Sequence, residues 1–179
     1  RVDKSGGPAL KLAYFGDHIL IHAHDIERLD GIALTRWEKV FIYNHLAQGG
    51  CRVPTGTWKG FEEFPNTVSK VKTMAKQVES PLVERFHGRL KDLVDSAVGI
   101  GGKDVGDEKS SADAALLFQP LPRVPVLLLF WDEDLLDGFG ATAKLLFDET
   151  ISDHLDIESI VFLSERLRQM LCDAADEAK

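Results

Sequence analysis

Pro120-Leu121-Pro122-Arg123-Val124-Pro125-Val126-Leu127-Leu128-Leu129-Phe130-Trp131-Asp132 decides how this chain folds. The run from Val126 to Phe130 is apolar without alternation, which predicts a central strand covered on both faces. Residues 114–119 read as a second strand, joined to the first through Pro120-Leu121-Pro122-Arg123. The connection from Glu133 to Thr142 is about ten residues, short for a parallel crossover, so residues 143–147 should return as an antiparallel neighbour. That arrangement puts Asp132 and Asp148 at opposite ends of the sheet, with Arg123 near Asp148 as its expected ion-pair partner.

Upstream, residues 9–15 and 18–25 flank Gly16-Asp17, a pair suited to a two-residue type II′ turn. In that register Phe15 faces His18, Ala13 faces Leu20 and Lys11 faces His22, while Tyr14, Leu12, Ile19 and Ile21 share the buried side. Thr35 and Glu38 form a capping box for a helix over residues 36–48, and Gly49-Gly50 supply a left-handed stop. Its inward stripe reads as Leu34, Trp37, Val40, Phe41 and Asn44. Asn66 is placed to cap a helix ending near Val78, and Ser80-Pro81 to start another whose apolar face is Leu82, Phe86, Leu90, Leu93 and Ala97. Gly99 to Ser111, rich in glycine and charge, reads as a mobile connection. A last helix over residues 157–175 is capped by Asp156 and striped with Ile160, Leu163, Leu167 and Leu171. The sum is an α+β fold: an N-terminal antiparallel hairpin, a helical middle, a three-strand antiparallel segment and a C-terminal helix packed as one domain over residues 9–176. Residues 1–8 form a flexible tail.

The 179 residues are ample for one core, and 44% hydrophobic with 28% charged composition is that of a globular protein. A net charge of −8 leaves no basic excess for nucleic acid or an anionic membrane. Cys51 and Cys172 are too few for the four thiolates an iron–sulfur cluster needs, so they read as reduced thiols and no cofactor is expected within this chain. No apolar run is long enough for a membrane span and no signal-peptide pattern is present, which predicts a soluble, cytoplasmic protein. A start at Arg1 without an initiator methionine reads as a trimmed piece of a longer chain.

Three clusters invite a chemical reading. His18, His22 and His24 share one strand face and could reach a metal together, but Lys11 opposite His22 argues for a solvated face instead. Asp132, Asp134 and Asp137 with His154 are the residues of a metal-dependent hydrolase or transferase, if the acidic loop after Trp131 holds a divalent cation. The competing reading of that loop is a solvated turn, because it lacks the fixed glycine and spacing of a calcium loop. Gly99-Ile100-Gly101-Gly102-Lys103 follows a helix instead of preceding one and does not complete a phosphate-binding fingerprint. Trp58, Phe61 and Phe64 lie close together in a short segment that should plug into the core, and with Trp131 they are candidate contacts for a ligand or partner.

Leu121-Pro122-Arg123-Val124-Pro125-Val126, then Phe130-Trp131-Asp132-Glu133-Asp134, then Ala143-Lys144-Leu145-Leu146-Phe147-Asp148, together resemble a prokaryotic family known only as a domain of unknown function. The segment from Trp58 to Pro65 is similar to that family's Trp-x-x-Phe-x-x-Leu-Pro, and the likeness runs over roughly residues 35–170. The resemblance implies a setting in anaerobes and a neighbouring cysteine-rich iron–sulfur segment, of a type also found in corrinoid iron–sulfur proteins. By that association the expected role is an accessory or ligand-binding domain beside an iron–sulfur or corrinoid protein, with any cluster upstream of Arg1 or on a partner. A structural protein-interaction module is the remaining alternative.

Overall fold

A computed structural model of the chain describes residues 8–106, 111–133 and 138–177. Its centre is a five-stranded antiparallel sheet in the order β4-β8-β7-β6-β5, formed by Trp58–Gly60, Lys103–Asp104, Ala114–Leu121, Val124–Trp131 and Thr142–Asp148 as β4 to β8. The segment quoted at the outset supplies the middle strand, β7. Its register is fixed on both sides, with Leu116 and Leu145 opposite Leu128, and Phe118 and Phe147 opposite Val126. These rows face inward and are buried. Pro122 and Arg123 make the β6–β7 turn, where Arg123 takes a φ of 61°.

Burial along β7 alternates, which corrects the expectation of a strand enclosed on both faces. Pro125, Leu127, Leu129 and Trp131 are only half-buried. The unbroken apolar run arises because outer-face leucines shield one another across strands, Leu127 lying between Leu117 and Leu146.

A second sheet, in the order β1-β2-β3, comprises Leu10–Tyr14, Asp17–Ile21 and Ile26–Arg28. The hairpin register differs from the expected one by two residues: Tyr14 opposes Asp17 and Lys11 opposes Leu20. The turn is therefore Phe15-Gly16, with φ of 46° and 79°, the type I′ form. Phe15 is held in that strained backbone because its N–H donates to the Pro120 carbonyl at 2.9 Å and its ring is buried. An even shift preserves the faces, so Tyr14, Ile19 and Ile21 are buried as expected.

Helix α1, Arg36–Gln48, has both halves of the Thr35/Glu38 capping box and a left-handed Gly49. Its inward side is Glu38, Phe41 and Ile42, and Trp37 is 66% exposed. Of the predicted stripe, Leu34 and Phe41 are buried, but Trp37, Val40 and Asn44 face outward, and Glu38, read from the sequence only as half of the capping box, points inward instead. A 3₁₀ turn, Phe61–Glu63, leads on to α2, Val71–Met74, which starts later than Asn66. Residues 71–86 then run on through a π turn, Ala75–Glu79, into α3, Ser80–Phe86. The expected break before Pro81 is absent, since the widened turn accommodates the missing proline N–H. The break comes instead at Gly88, φ 65°, ahead of α4, Leu90–Gly99.

After β8 come α5, Ile151–His154, and α6, Ile157–Glu177, whose first turn is capped by the Asp156 carboxylate accepting from the Ser159 N–H at 2.7 Å. One core cluster joins both sheets to Leu82, Phe86, Leu93, Ala97, Leu163 and Leu167 of the helices. Among the described residues, no helix is long and apolar enough to cross a membrane.

The inner row of β7 tolerates no cavity. Leu128→Ala, at a residue with no exposure, should cost about 3 kcal/mol of unfolding free energy, read as a lower denaturant midpoint with an unchanged slope.

Candidate functional site

Strand β8 ends in Asp148, buried beneath the loop of residues 50–57. Its carboxylate accepts from the Gly56 N–H at 2.7 Å, the Thr150 N–H at 3.0 Å and the Thr150 hydroxyl at 2.7 Å. Burial pushes this carboxyl up, but the Thr150 and loop hydrogen bonds together outweigh it and hold the group below its ordinary range. One helical turn on, Asp153 accepts from the N–H groups of Cys51 and Arg52 at 2.8 and 2.9 Å, which lowers its carboxyl likewise. The buried His154 ring donates from Nε2 to the Arg52 carbonyl at 2.9 Å, and its own backbone carbonyl accepts from His45 Nδ1 at 3.2 Å. Burial lowers the pKa of His45. Gly50 lets the loop lie this close, since a Cβ there would sit 2.3 Å from the Asp153 carbonyl oxygen.

The expected Arg123–Asp148 ion pair does not form. Arg123 is exposed in its turn and donates from Nη1 to the Cys51 carbonyl at 2.8 Å, while the lone pairs of Asp148 are already taken from within the fold. Both residues thus hold the same loop, one from outside and one from beneath.

At the far end of the sheet, Asp132 Oδ1 accepts from the Gly88 and Glu133 N–H groups at 2.7 and 2.9 Å. Asp134 and Asp137 lie outside the described residues. Val126 pairs with Phe147 and Trp131 with Thr142, which sets Asp148 level with Pro125, so Asp132 lies seven strand steps, about 23 Å, from the start of the Asp148–His154 segment. The structure does not bring His154 to Asp132, and no group of three or more His, Cys, Asp or Glu able to hold a metal occurs among the described residues. The histidine face also differs from expectation. Glu27 on β3, a strand with no sequence signal, comes within 3.3 Å of His22 Nε2, and Lys11 is not opposite His22.

Phe61 and Phe64 are core residues, each edge-on to Phe147 with ring centroids 6.4 Å apart. Trp58, opposite Asp148, and Trp131, opposite Thr142, are half-buried, so of the four candidate contacts these two reach the surface.

Two further features escaped the sequence. Glu38 is buried and its carboxylate is fully engaged: Oε1 accepts from the Tyr14 hydroxyl at 3.1 Å and Arg166 Nε at 3.0 Å, and Oε2 from the Thr35 N–H and hydroxyl. Burial pushes this carboxyl up, yet Thr35 and Arg166 prevail and it stays below its ordinary range. The capping box was legible, but nothing local in sequence foretells the partners from β1 and α6. The second feature is a groove of about 650 Å³ between the β1–β2 turn, the Gly99–Gly101 loop and α6. Phe15, Ile32, Val98 and Met170 give it apolar walls, and its charged groups are Arg28 and Arg166 together with the acids Asp17, Asp173 and Glu177. Asp17 and Asp30 clamp Arg28, whereas Arg166 is anchored to Glu38 through Nε. No histidine or cysteine lines the groove.

Fold and site define an α+β domain whose buried acids hold loops and helices in place, with an open groove beside an anchored arginine. The chain belongs to the family described as Domain of unknown function (DUF3786), whose family model matches residues 1–170, a longer span than the sequence resemblance covered. Neither the curated proteins nor the solved structures contain a match to it.

Asp148→Asn turns an amide N–H₂ toward backbone donors and should cost about 2–3 kcal/mol. Because the folded Asp148 and Glu38 carboxyls lie below their unfolded values, their stabilisation is present above about pH 4 and is lost as pH falls through the folded values. Thermal melts from neutral to acid pH should fall steeply at the acid end, and less steeply in Asp148→Asn.

Proposed function

We propose that this chain is an accessory, ligand-binding domain that works beside an iron–sulfur or corrinoid-linked protein and carries out no chemistry of its own. The observation that carries this reading is the state of its two buried acids: Asp148 and Glu38 each accept hydrogen bonds from the fold itself at both carboxylate oxygens. A general base or metal ligand needs a free lone pair aimed at solvent or substrate. The groove beside Arg166 combines apolar walls with charged groups of both signs, Arg28 and Arg166 beside Asp17, Asp173 and Glu177. Arg166 held at Nε keeps a planar donor fork in fixed orientation, and with these acids it suits a ligand that carries both hydrogen-bond donors and acceptors. Family resemblance supports the iron–sulfur setting, and the acidic net charge of −8 supports a partner other than nucleic acid.

Anaerobic expression of the natural full-length protein, with absorption spectra, metal analysis and identification of co-purifying proteins, tests the setting. A cluster, corrinoid affinity or a stable redox partner is the expected result; absence of all three sinks it. Thermal melts of this chain with Mg²⁺, Mn²⁺, Ca²⁺ and Zn²⁺ in the same series should show no shift. A rise of several degrees with any of them would favour the metal-dependent enzyme instead.

A further inference from the structure

Helix α1 has two apolar sides, and only one of them is covered. Opposite the buried Glu38, Phe41 and Ile42 runs an exposed surface of Arg36, Trp37, Val40, Tyr43, Asn44 and Ala47. Trp37 is 66% exposed, and Val40 and Tyr43 are each 39% exposed. A solvent-facing helix side ordinarily carries mixed charge, and a helix apolar on both sides is ordinarily enclosed. Here the exposed side holds a single charged group, Arg36, and no acid, in a chain with 29 acidic residues.

Trp37, Val40, Asn44 and Ala47 follow the 3-4-3 spacing of a helix–helix seam. From these observations we propose that α1 is a homodimer interface, pairing antiparallel with α1 of a second copy about a two-fold axis near the helix midpoint. The order of side chains fits that occupant. Antiparallel pairing sets the large Trp37 over the small Ala47 of the second copy and Val40 beside Asn44, so bulk meets space at both ends and the contact closes on itself. Charge fits as well. Arg36 stands in the first turn, at the positive end of its own helix, and the antiparallel mate brings the negative carbonyl end of its α1 to that place. The two Arg36 side chains end up at opposite ends of the seam and do not repel. A polar residue in the seam, Asn44, restricts the pairing to one register. Six side chains from each copy make an interface smaller than the roughly 1,200 Å² at which stable specific interfaces begin, so the dimer is weak and concentration-dependent.

Sedimentation velocity of the full chain in reducing buffer, which excludes a disulfide through the exposed Cys51, tests the proposal from about 5 to about 500 µM, a span that brackets weak, micromolar association. The expected result is a monomer–dimer equilibrium. Trp37→Glu should weaken it roughly thirtyfold or more while leaving the melt unchanged, and Val68→Glu, at an 88% exposed position away from α1, should leave it unaltered. Three results overturn the proposal: a monomer at every concentration, a dimer indifferent to Trp37→Glu, or one weakened equally by Val68→Glu. A chain that stays monomeric but loses another protein on Trp37→Glu overturns it in favour of a foreign partner.

Discussion

Asp148 is the residue on which the arrangement of this molecule turns. It ends β8, next to the middle strand, and satisfies backbone N–H groups on two segments that flank the sheet, the loop at Gly56 and the turn at Thr150. A buried carboxylate is costly to desolvate, and it is tolerated here because its acceptor capacity is met by donors that would otherwise be orphaned. Sheet, loop and α5 are therefore interdependent: each supplies what makes the others' burial acceptable. Asp153 and His154 extend the arrangement by one helical turn onto Cys51 and Arg52.

Glu38 plays the corresponding part on the other side of the molecule. It ties the first turn of α1 to Tyr14 of β1 and Arg166 of α6, three elements far apart in sequence. Each buried acid thus joins segments that no local pattern would bring together. This explains how a chain of ordinary composition can hold long loops in place.

How much of this was legible follows from the range of the forces involved. The antiparallel placement of β7 between β6 and β8 could be read because an apolar run and a short connection fix it locally, whereas the residue pairing could not. The α1 caps and the Asp156 cap could be read because each is a contact between near neighbours in sequence. Strands β3, β4 and β5, of two or three residues each, carry too little pattern to be seen. The inward side of α1 was misread because hydrophobicity ranks Trp37 above Glu38, whereas the fold can bury a glutamate that meets Tyr14 and Arg166. Arg123 was matched to Asp148 by charge and proximity, yet backbone donors closer to the carboxylate won. The groove at Arg166 had no sequence signal, since its walls come from the hairpin, the α4–β5 loop and α6.

The contact between the hairpin and the Gly99–Gly101 loop bears on how the chain is assembled. Gly16 and Gly101 meet backbone to backbone, so close that a Cβ on Gly101 would lie 2.9 Å from the Gly16 Cα, and the Phe15 N–H donates to the Pro120 carbonyl. During synthesis the hairpin is made about a hundred residues ahead of the surface that receives it, some five to twenty seconds at ordinary elongation rates. Through that interval Phe15 has no core to enter and its left-handed backbone has nothing to compensate it. The hairpin sheet is thus made well before its docking surface and finds its place only once that surface exists.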